Sequence, residues 1–96
     1  MIKIQKTSLY AKWLNGLRDI KTRSRILVRI ERLAQGNLGD VKPIGEGVSE
    51  LRIHCGSGYR VYFKKSGSQL IILLAGGDKS SQAKDIQKAL KLARNL

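Results

Sequence analysis

The chain has 96 residues, of which 42% are apolar, so it can form one hydrophobic core but not two, and we predict a single domain over residues 1–96. Nineteen Lys and Arg against seven Asp and Glu give a net charge of +12, which favours a polyanionic or acidic partner. The single cysteine, Cys55, excludes an intrachain disulfide, and no apolar run suits a signal peptide or a membrane span, so we expect a cytoplasmic location without a membrane partner.

The N-terminal third is predicted to form a short strand and two helices. Ile2 and Ile4 alternate with polar neighbours, as in a strand with one exposed face. Apolar residues then recur at helical spacing in two stretches, separated by a polar joint predicted at residues 19–24. Basic residues off the apolar stripe would give the helix pair a positive side: Arg18, Lys21, Arg23, Arg25, Arg29 and Arg32. All of these except Arg18 are predicted to contact RNA. An ordinary solvated face explains this pattern equally well.

Residues 48–65 are predicted to form a β-hairpin that follows an irregular loop. Glycines and polar residues end the second helix, and Pro43 with its neighbouring glycines predicts a loop rather than a strand. Apolar and polar residues then alternate on both sides of the tip Gly56–Gly58, which is typical of a hairpin with a three-residue loop.

The register predicted for this hairpin collects the polar side chains on one face and the apolar ones on the other. With Cys55 opposite Tyr59, the facing polar pairs are His54 with Arg60, Arg52 with Tyr62 and Glu50 with Lys64.

The polar face of the hairpin has the composition of a phosphate site. Arg52 and Arg60 repel each other unless an anion lies between them. His54 is a candidate for proton transfer near neutral pH, and Tyr62 is a candidate for stacking on a base or donating its hydroxyl. Taken singly, such a histidine is more often a surface residue and such a tyrosine more often packs, but together these residues favour a site.

The C-terminal third is predicted to contain a buried strand and a helix. Leu70–Leu74 is an apolar run typical of a central strand, and Gly76 and Gly77 are expected to end it. Asp78 and Lys79 follow at the strand end, before a serine caps an amphipathic helix that we expect to pack on the sheet.

The order strand, helix, helix, strands, helix, with the segments GVSELRIHCGSGYRVYF and LLAGGDKSSQAKDIQKAL, resembles the RelE/ParE toxin superfamily in its HigB-like, phage-derived Gp49-like branch. The resemblance covers nearly the whole chain. It implies an α+β fold: an N-terminal strand and a two-helix hairpin packed on a mainly antiparallel twisted sheet, then a C-terminal helix.

The same resemblance implies a function and a set of site residues. The implied function is a type II toxin that cuts mRNA on the ribosome with the RNA 2′-hydroxyl as nucleophile and without a metal or cofactor. Arg60 matches the arginine that stabilises the phosphorane, Lys79 matches a basic residue after the last strand, and Arg52 and His54 match basic residues of the preceding strand. His54 is the first candidate for proton transfer, with Lys79 or Tyr62 as alternatives. Lys64 joins the basic residues of the helices in the predicted surface for ribosomal RNA.

The resemblance also implies a partner, and it leaves other functions open. The implied partner is a cognate HigA-like helix-turn-helix antitoxin, through which alone the toxin would contact operator DNA. One alternative is a ParE-like inhibitor of DNA gyrase, because a fold does not fix a function. Another is an RNA-binding module without catalysis, which the charge alone would explain.

Overall fold

A computed structural model describes residues 1–96 and contains one five-stranded sheet and three α-helices. The elements in chain order are β1 Lys3–Lys6, α1 Ser8–Gly16, α2 Ile20–Ala34, β2 Val41–Gly45, β3 Val48–Ile53, β4 Tyr59–Ser66, β5 Leu70–Asp78 and α3 Gln82–Arg94. The strand order is β1-β5-β4-β3-β2, with β1 parallel to β5 and all other neighbours antiparallel. This confirms the predicted α+β architecture.

The sheet is covered on both faces, so the core has two parts. Side chains from α1 and α2 pack on one face in a cluster that includes Tyr10, Ile26, Leu51, Val61 and Leu73. Side chains from α3 pack on the other face in a smaller cluster: Val48, Tyr62, Leu74, Ala75, Ala89, Leu90 and Ala93. The smaller cluster leaves one end of this second face free for polar groups. None of the helices has the length and apolar content that a membrane crossing requires.

The joint between α1 and α2 is shorter than the sequence suggested. The carboxylate of Asp19 accepts hydrogen bonds from the backbone N–H of Lys21 at 3.1 Å and from the hydroxyl of Thr22 at 2.9 Å. Asp19 is therefore the N-cap, and α2 begins at Ile20 inside the stretch predicted to be the joint.

The predicted loop around Pro43 is wrong, because Val41–Gly45 forms strand β2. This strand lies at the edge of the sheet and pairs only with β3. An edge strand tolerates Pro43, since a missing backbone N–H can face away from the partner strand.

The predicted end of β5 at Gly76 and Gly77 is also wrong. Both glycines pair with β4, and the strand continues to Asp78. A side chain at Gly76 would collide with the indole of Trp13, and one at Gly77 would collide with the carboxylate of Asp85. The two glycines therefore let α1 and α3 approach the sheet closely on opposite faces.

Candidate phosphate site and its surroundings

The hairpin register differs by two residues from the predicted one. Arg52 lies opposite Arg60, Glu50 opposite Tyr62, and Ile53 opposite Tyr59. The tip is a loop over residues 54–58, closed by hydrogen bonds from Cys55 N to Ile53 O and from Gly58 N to Cys55 O, both at 3.0 Å. A shift of two keeps the alternation of faces, so the arginines still share one face.

His54 does not join the arginines as predicted. Because β3 ends at Ile53, His54 lies in the tip loop, with its side chain 75% exposed. Its Nε2 lies 2.5 Å from Oδ2 of Asp40, and this hydrogen bond lowers the pKa of the Asp40 carboxyl. His54 lines a groove beside α2, on the side of the sheet opposite Arg60.

Glu50 is the centre of the polar face, and the sequence reasoning did not assign it a role. Its carboxylate is 1% exposed and accepts hydrogen bonds from Arg52 Nε at 3.1 Å, Tyr62 Oη at 3.1 Å and Gln82 Nε2 at 2.9 Å. Arg60 Nε lies 3.6 Å from the same carboxylate.

The surroundings of Glu50 keep it ionised. Burial alone would raise its pKa, but the hydrogen bonds from Gln82, Arg52 and Tyr62 and the charge of Arg60 outweigh burial and lower the pKa below its ordinary value. The alternation of polar residues placed Glu50 on the arginine face, which was the available signal. Its burial depends on Gln82 of α3, which lies far away in the sequence.

Arg52 and Arg60 are held side by side and differ in exposure. Their side chains are 34% and 14% exposed. Arg60 Nη1 donates to the carbonyl of Gly58 at 3.3 Å, whereas its buried Nε has no hydrogen-bond partner. The remaining N–H groups of the pair are free for an anion, and Glu50 offsets part of the repulsion between the two cations.

Tyr62 is completely buried, so the prediction that it stacks on a base is wrong. Its hydroxyl donates to Glu50 at 3.1 Å, and burial together with the charge of Glu50 raises the pKa of Tyr62. Tyr62 therefore orients the carboxylate that in turn orients the arginines.

Lys79 lies exposed at the end of β5 that adjoins Arg60. It begins a single 3-10 turn, Lys79–Ser81, whose N-cap is Asp78. The hydrogen bonds from Ser80 lower the pKa of Asp78, so this carboxylate is ionised and already satisfied by the turn. Because Asp78 pairs with Tyr59, and Gly77 with Arg60, the backbone of Lys79 follows the strand end next to Arg60.

The basic residues predicted on the second helix have two different roles in the structure. Arg29 donates to the carbonyl of Arg52 at 2.7 Å and therefore supports the end of β3. Lys21, Arg25 and Arg32 are exposed, and Arg23 is half-buried. A groove of about 410 Å³ runs between α2 and the end of β3: its lining includes Arg25, Arg29, Arg32, Val28 and His54. Lys64 lies apart from this groove, opposite Val48 on the hairpin.

No cluster of three or more His, Cys, Asp or Glu side chains is arranged to hold a metal ion. The site is instead an arginine pair on a buried carboxylate, near the strand end that Lys79 follows, and the positive groove of α2 lies on the other side of the sheet.

The fold is an α+β fold of the RelE type. The structure matches a free mutant form of the E. coli toxin RelE with a TM-score of 0.74 and 15% identity, covering 94% of this chain and 95% of that one. It matches the RelBE2 toxin-antitoxin complex of Mycobacterium tuberculosis with a TM-score of 0.52 and 18% identity, covering 81% of this chain and 98% of the matched chain. At these identities the likeness concerns the fold.

The chain belongs to the phage-derived Gp49-like family (DUF891), whose model matches residues 12–96. It is 47% identical over 95 residues to an uncharacterized protein of Haemophilus influenzae (strain ATCC 51907 / DSM 11121 / KW20 / Rd). That match covers 99% of this chain and 96% of the relative. The Gp49-like branch and the RelE-like fold inferred from the sequence are both confirmed.

Proposed function

We propose that this protein is the toxin of a type II toxin-antitoxin pair and that it cleaves mRNA on the ribosome in the manner of HigB-like toxins. The observation that carries the proposal is the opposed pair Arg52 and Arg60, anchored on the buried carboxylate of Glu50. Two partly exposed guanidinium groups in fixed positions suit one phosphodiester, because each presents N–H donors in a planar fork.

The proposed reaction is an intramolecular transesterification of RNA. The 2′-oxygen attacks the adjacent 3′-phosphorus, the bond from phosphorus to the 5′-oxygen breaks, and the products are a 2′,3′-cyclic phosphate and a 5′-hydroxyl. One proton leaves the 2′-hydroxyl and one reaches the 5′-oxygen. Arg60 and Arg52 would stabilise the charge on the phosphorane, and Lys79 would add a third cation next to them.

The proton-transfer groups are proposed from the remaining residues. His54 is fixed by Asp40 at the rim of the tip loop, and Lys79 is free at the end of β5. Tyr62 has no access to RNA, so we assign it to positioning through Glu50. If His54 transfers a proton, His54→Gln should lower the cleavage rate by about 100-fold or more with little change in ribosome affinity, because a positioned general acid or base contributes roughly that factor.

Docking to ribosomal RNA is assigned to the exposed cations of α2 and to Lys64. Phosphate contacts release counterions, so affinity for ribosomes should fall as salt rises. Replacing Lys21, Arg25 and Arg32 together by Gln should reduce both the affinity and the salt slope. An unchanged salt slope would contradict this assignment.

A cognate antitoxin completes the proposal. We propose a HigA-like helix-turn-helix partner that neutralises this chain in the cytoplasm and alone contacts operator DNA. An acidic partner segment is favoured by the net charge of +12. Co-expression should then give a stable complex that restores growth.

The deciding experiment compares Arg60→Ala with Arg18→Ala, because Arg18 is an exposed arginine outside the site. In a translating extract, mRNA ends are mapped by primer extension, and ribosome binding is measured separately. Arg60→Ala should lower the cleavage rate by about 100-fold or more with little change in ribosome affinity, and Arg18→Ala should match the unaltered protein. Intact transcripts with the unaltered protein would exclude the nuclease.

A second candidate is an RNA-binding module without catalysis. Two observations favour it: His54 lies away from the arginines, and the hydroxyl of Tyr62 is bound to Glu50. Neither residue is therefore placed to transfer a proton at a phosphate between Arg52 and Arg60. Equal losses of ribosome affinity and of translation inhibition in Arg60→Ala would support this function. Inhibition of DNA supercoiling with intact mRNA would instead support the ParE-like alternative.

A further inference from the structure

A second cavity, of about 330 Å³, lies against β5, the strand next to the one that carries Arg60, and is not used by the proposed reaction. It opens where β1 ends. Beyond Leu73 no strand pairs with β5 on that side, so the cavity lies against the strand edge between α1 and α3. Its lining includes Trp13, Tyr59, Gly76, Gly77 and Asp85.

The walls of this cavity suit a flat ring. The indole of Trp13 lies directly over Gly76, and Tyr59 contributes a second aromatic side chain. Leu9 and Leu17 add apolar surface. The volume falls at the lower end of the range for small-molecule sites, which suits a single nucleobase better than a peptide strand.

Asp85 gives the cavity a specific polar group. It is 7% exposed and lies against Gly77, where its Oδ2 accepts from the hydroxyl of Ser81 at 2.5 Å. No Lys, Arg or His nitrogen lies within 4.0 Å of it, although Lys88 also lines the cavity. A nearly buried carboxylate without a cation is costly unless a donor from elsewhere completes its hydrogen bonds.

The phosphate and the base of a nucleotide would contact different groups. A phosphate is repelled by Asp85 and attracted by Arg60, which pairs with Gly77 on the floor of the cavity. A base, in contrast, can stack on aromatic side chains and donate to a carboxylate. Guanine offers two adjacent donors, its ring N–H and its amino group, whereas uracil flanks its one ring N–H with carbonyls that a carboxylate repels.

We propose that this cavity is a nucleobase subsite that prefers guanine, with Asp85 accepting from the donor edge and Trp13 contacting the ring. The proposal rests on the proposed RNA substrate for its biological meaning, but the binding it describes requires neither a ribosome nor cleavage. It would give the toxin a base preference next to the phosphate held by Arg52 and Arg60.

The test titrates the isolated protein with guanosine 3′-monophosphate and, separately, with uridine 3′-monophosphate. Trp13 is the only tryptophan and lines this cavity, so its single indole N–H signal in NMR reports on binding there. The guanine nucleotide should shift that signal with an affinity about tenfold or more above that of the uracil nucleotide, since a good bidentate pair discriminates by roughly that factor. Because both probes carry the same phosphate, the difference isolates the base.

The variant Asp85→Asn keeps the shape of the side chain and should reduce guanine affinity to the level of uracil, with uracil binding unchanged. Glu31→Gln, at an exposed carboxylate on α2, is the matched control. Equal affinities for the two nucleotides, or no shift of the Trp13 signal, would overturn the proposal, and this comparison on the unaltered protein decides the case even if Asp85→Asn fails to fold. Selective binding without mRNA cleavage in extracts would refute the proposed nuclease and leave the subsite standing.

Discussion

The substitution Glu50→Gln tests the central claim that a buried carboxylate positions the arginine pair. At an effective dielectric constant of about 20, each ion pair of Glu50, at 3.1 Å with Arg52 and 3.6 Å with Arg60, has a raw attraction of about 5 kcal/mol. Desolvation of the carboxylate offsets several kcal/mol of this sum. Arg52 is 34% exposed and therefore screened by solvent, and the amide retains one hydrogen-bond acceptor.

The net expectation is a loss of about 2 kcal/mol, which lowers the thermal midpoint of a domain of this size by about 10 °C. Thermal denaturation at pH 7, followed by circular dichroism, measures it. Glu31→Gln makes the same chemical change at an exposed side chain and should leave the midpoint within about 2 °C. Equal shifts of the midpoint in the two variants would refute a positioning role for the buried Glu50 carboxylate.

The pH dependence of the stability difference between the unaltered protein and Glu50→Gln gives an independent check on the role of Glu50. Glu50 has a lower pKa in the folded chain than its ordinary value of 4.5, so its stabilisation is fully present above that value. The stabilisation disappears as the pH falls through the lowered folded value. The gap in stability between the unaltered protein and Glu50→Gln should therefore stay constant from pH 7 to about 5 and shrink below about 4.5. A gap that widens in acid would contradict this sign.

Two further substitutions test the packing around the site. Gly77→Ala should lower the free energy of unfolding in urea by about 1–3 kcal/mol, because the new methyl group would overlap Asp85. Gly16→Ala meets open space at the end of α1 and should be neutral or slightly stabilising. Similar losses in the two variants would contradict the close approach of α3. Arg29→Gln should lower the free energy of unfolding by about 1 kcal/mol, because it removes the hydrogen bond to the carbonyl of Arg52. Arg25→Gln, at an exposed position of the same helix, should have no measurable effect. Equal effects would show that Arg29 is an ordinary solvated cation.

Local patterns in the sequence were enough for the three helices, four of the five strands and the faces of the hairpin, but not for the edge strand β2, where Pro43 indicated a loop. Alternation and helical spacing depend on neighbouring residues, so they predicted the strands around Leu51 and Val61 and the faces they present. The register was wrong because it depends on the tip, where a turn at Cys55 makes a loop of residues 54–58 instead of three residues. That same turn takes His54 out of the strand.

The chemistry of the site could be predicted only in part, because burial depends on distant contacts. Arg52 and Arg60 were placed on one face correctly, and the structure puts them directly opposite each other. The role of Glu50 was missed because Gln82 and Tyr62 bury it, and Gln82 lies 32 positions away. Tyr62 was expected to meet RNA because alternation gave its face but not the cover that α3 provides.

The charge count around Glu50 leads to a last prediction about the proposed reaction. Two arginines and one carboxylate give a net charge of +1, which balances the single negative charge of a phosphodiester. The phosphorane carries a second negative charge, which Lys79 would neutralise. Glu50→Gln raises the net charge to +2 but frees the arginines from their fixed positions. It should therefore bind the substrate phosphate more tightly while stabilising the phosphorane less, so that KM and kcat both fall. Steady-state cleavage of ribosome-bound mRNA measures the two constants, and a raised KM with unchanged kcat would mean that Glu50 contributes to substrate binding but not to the geometry of the reaction.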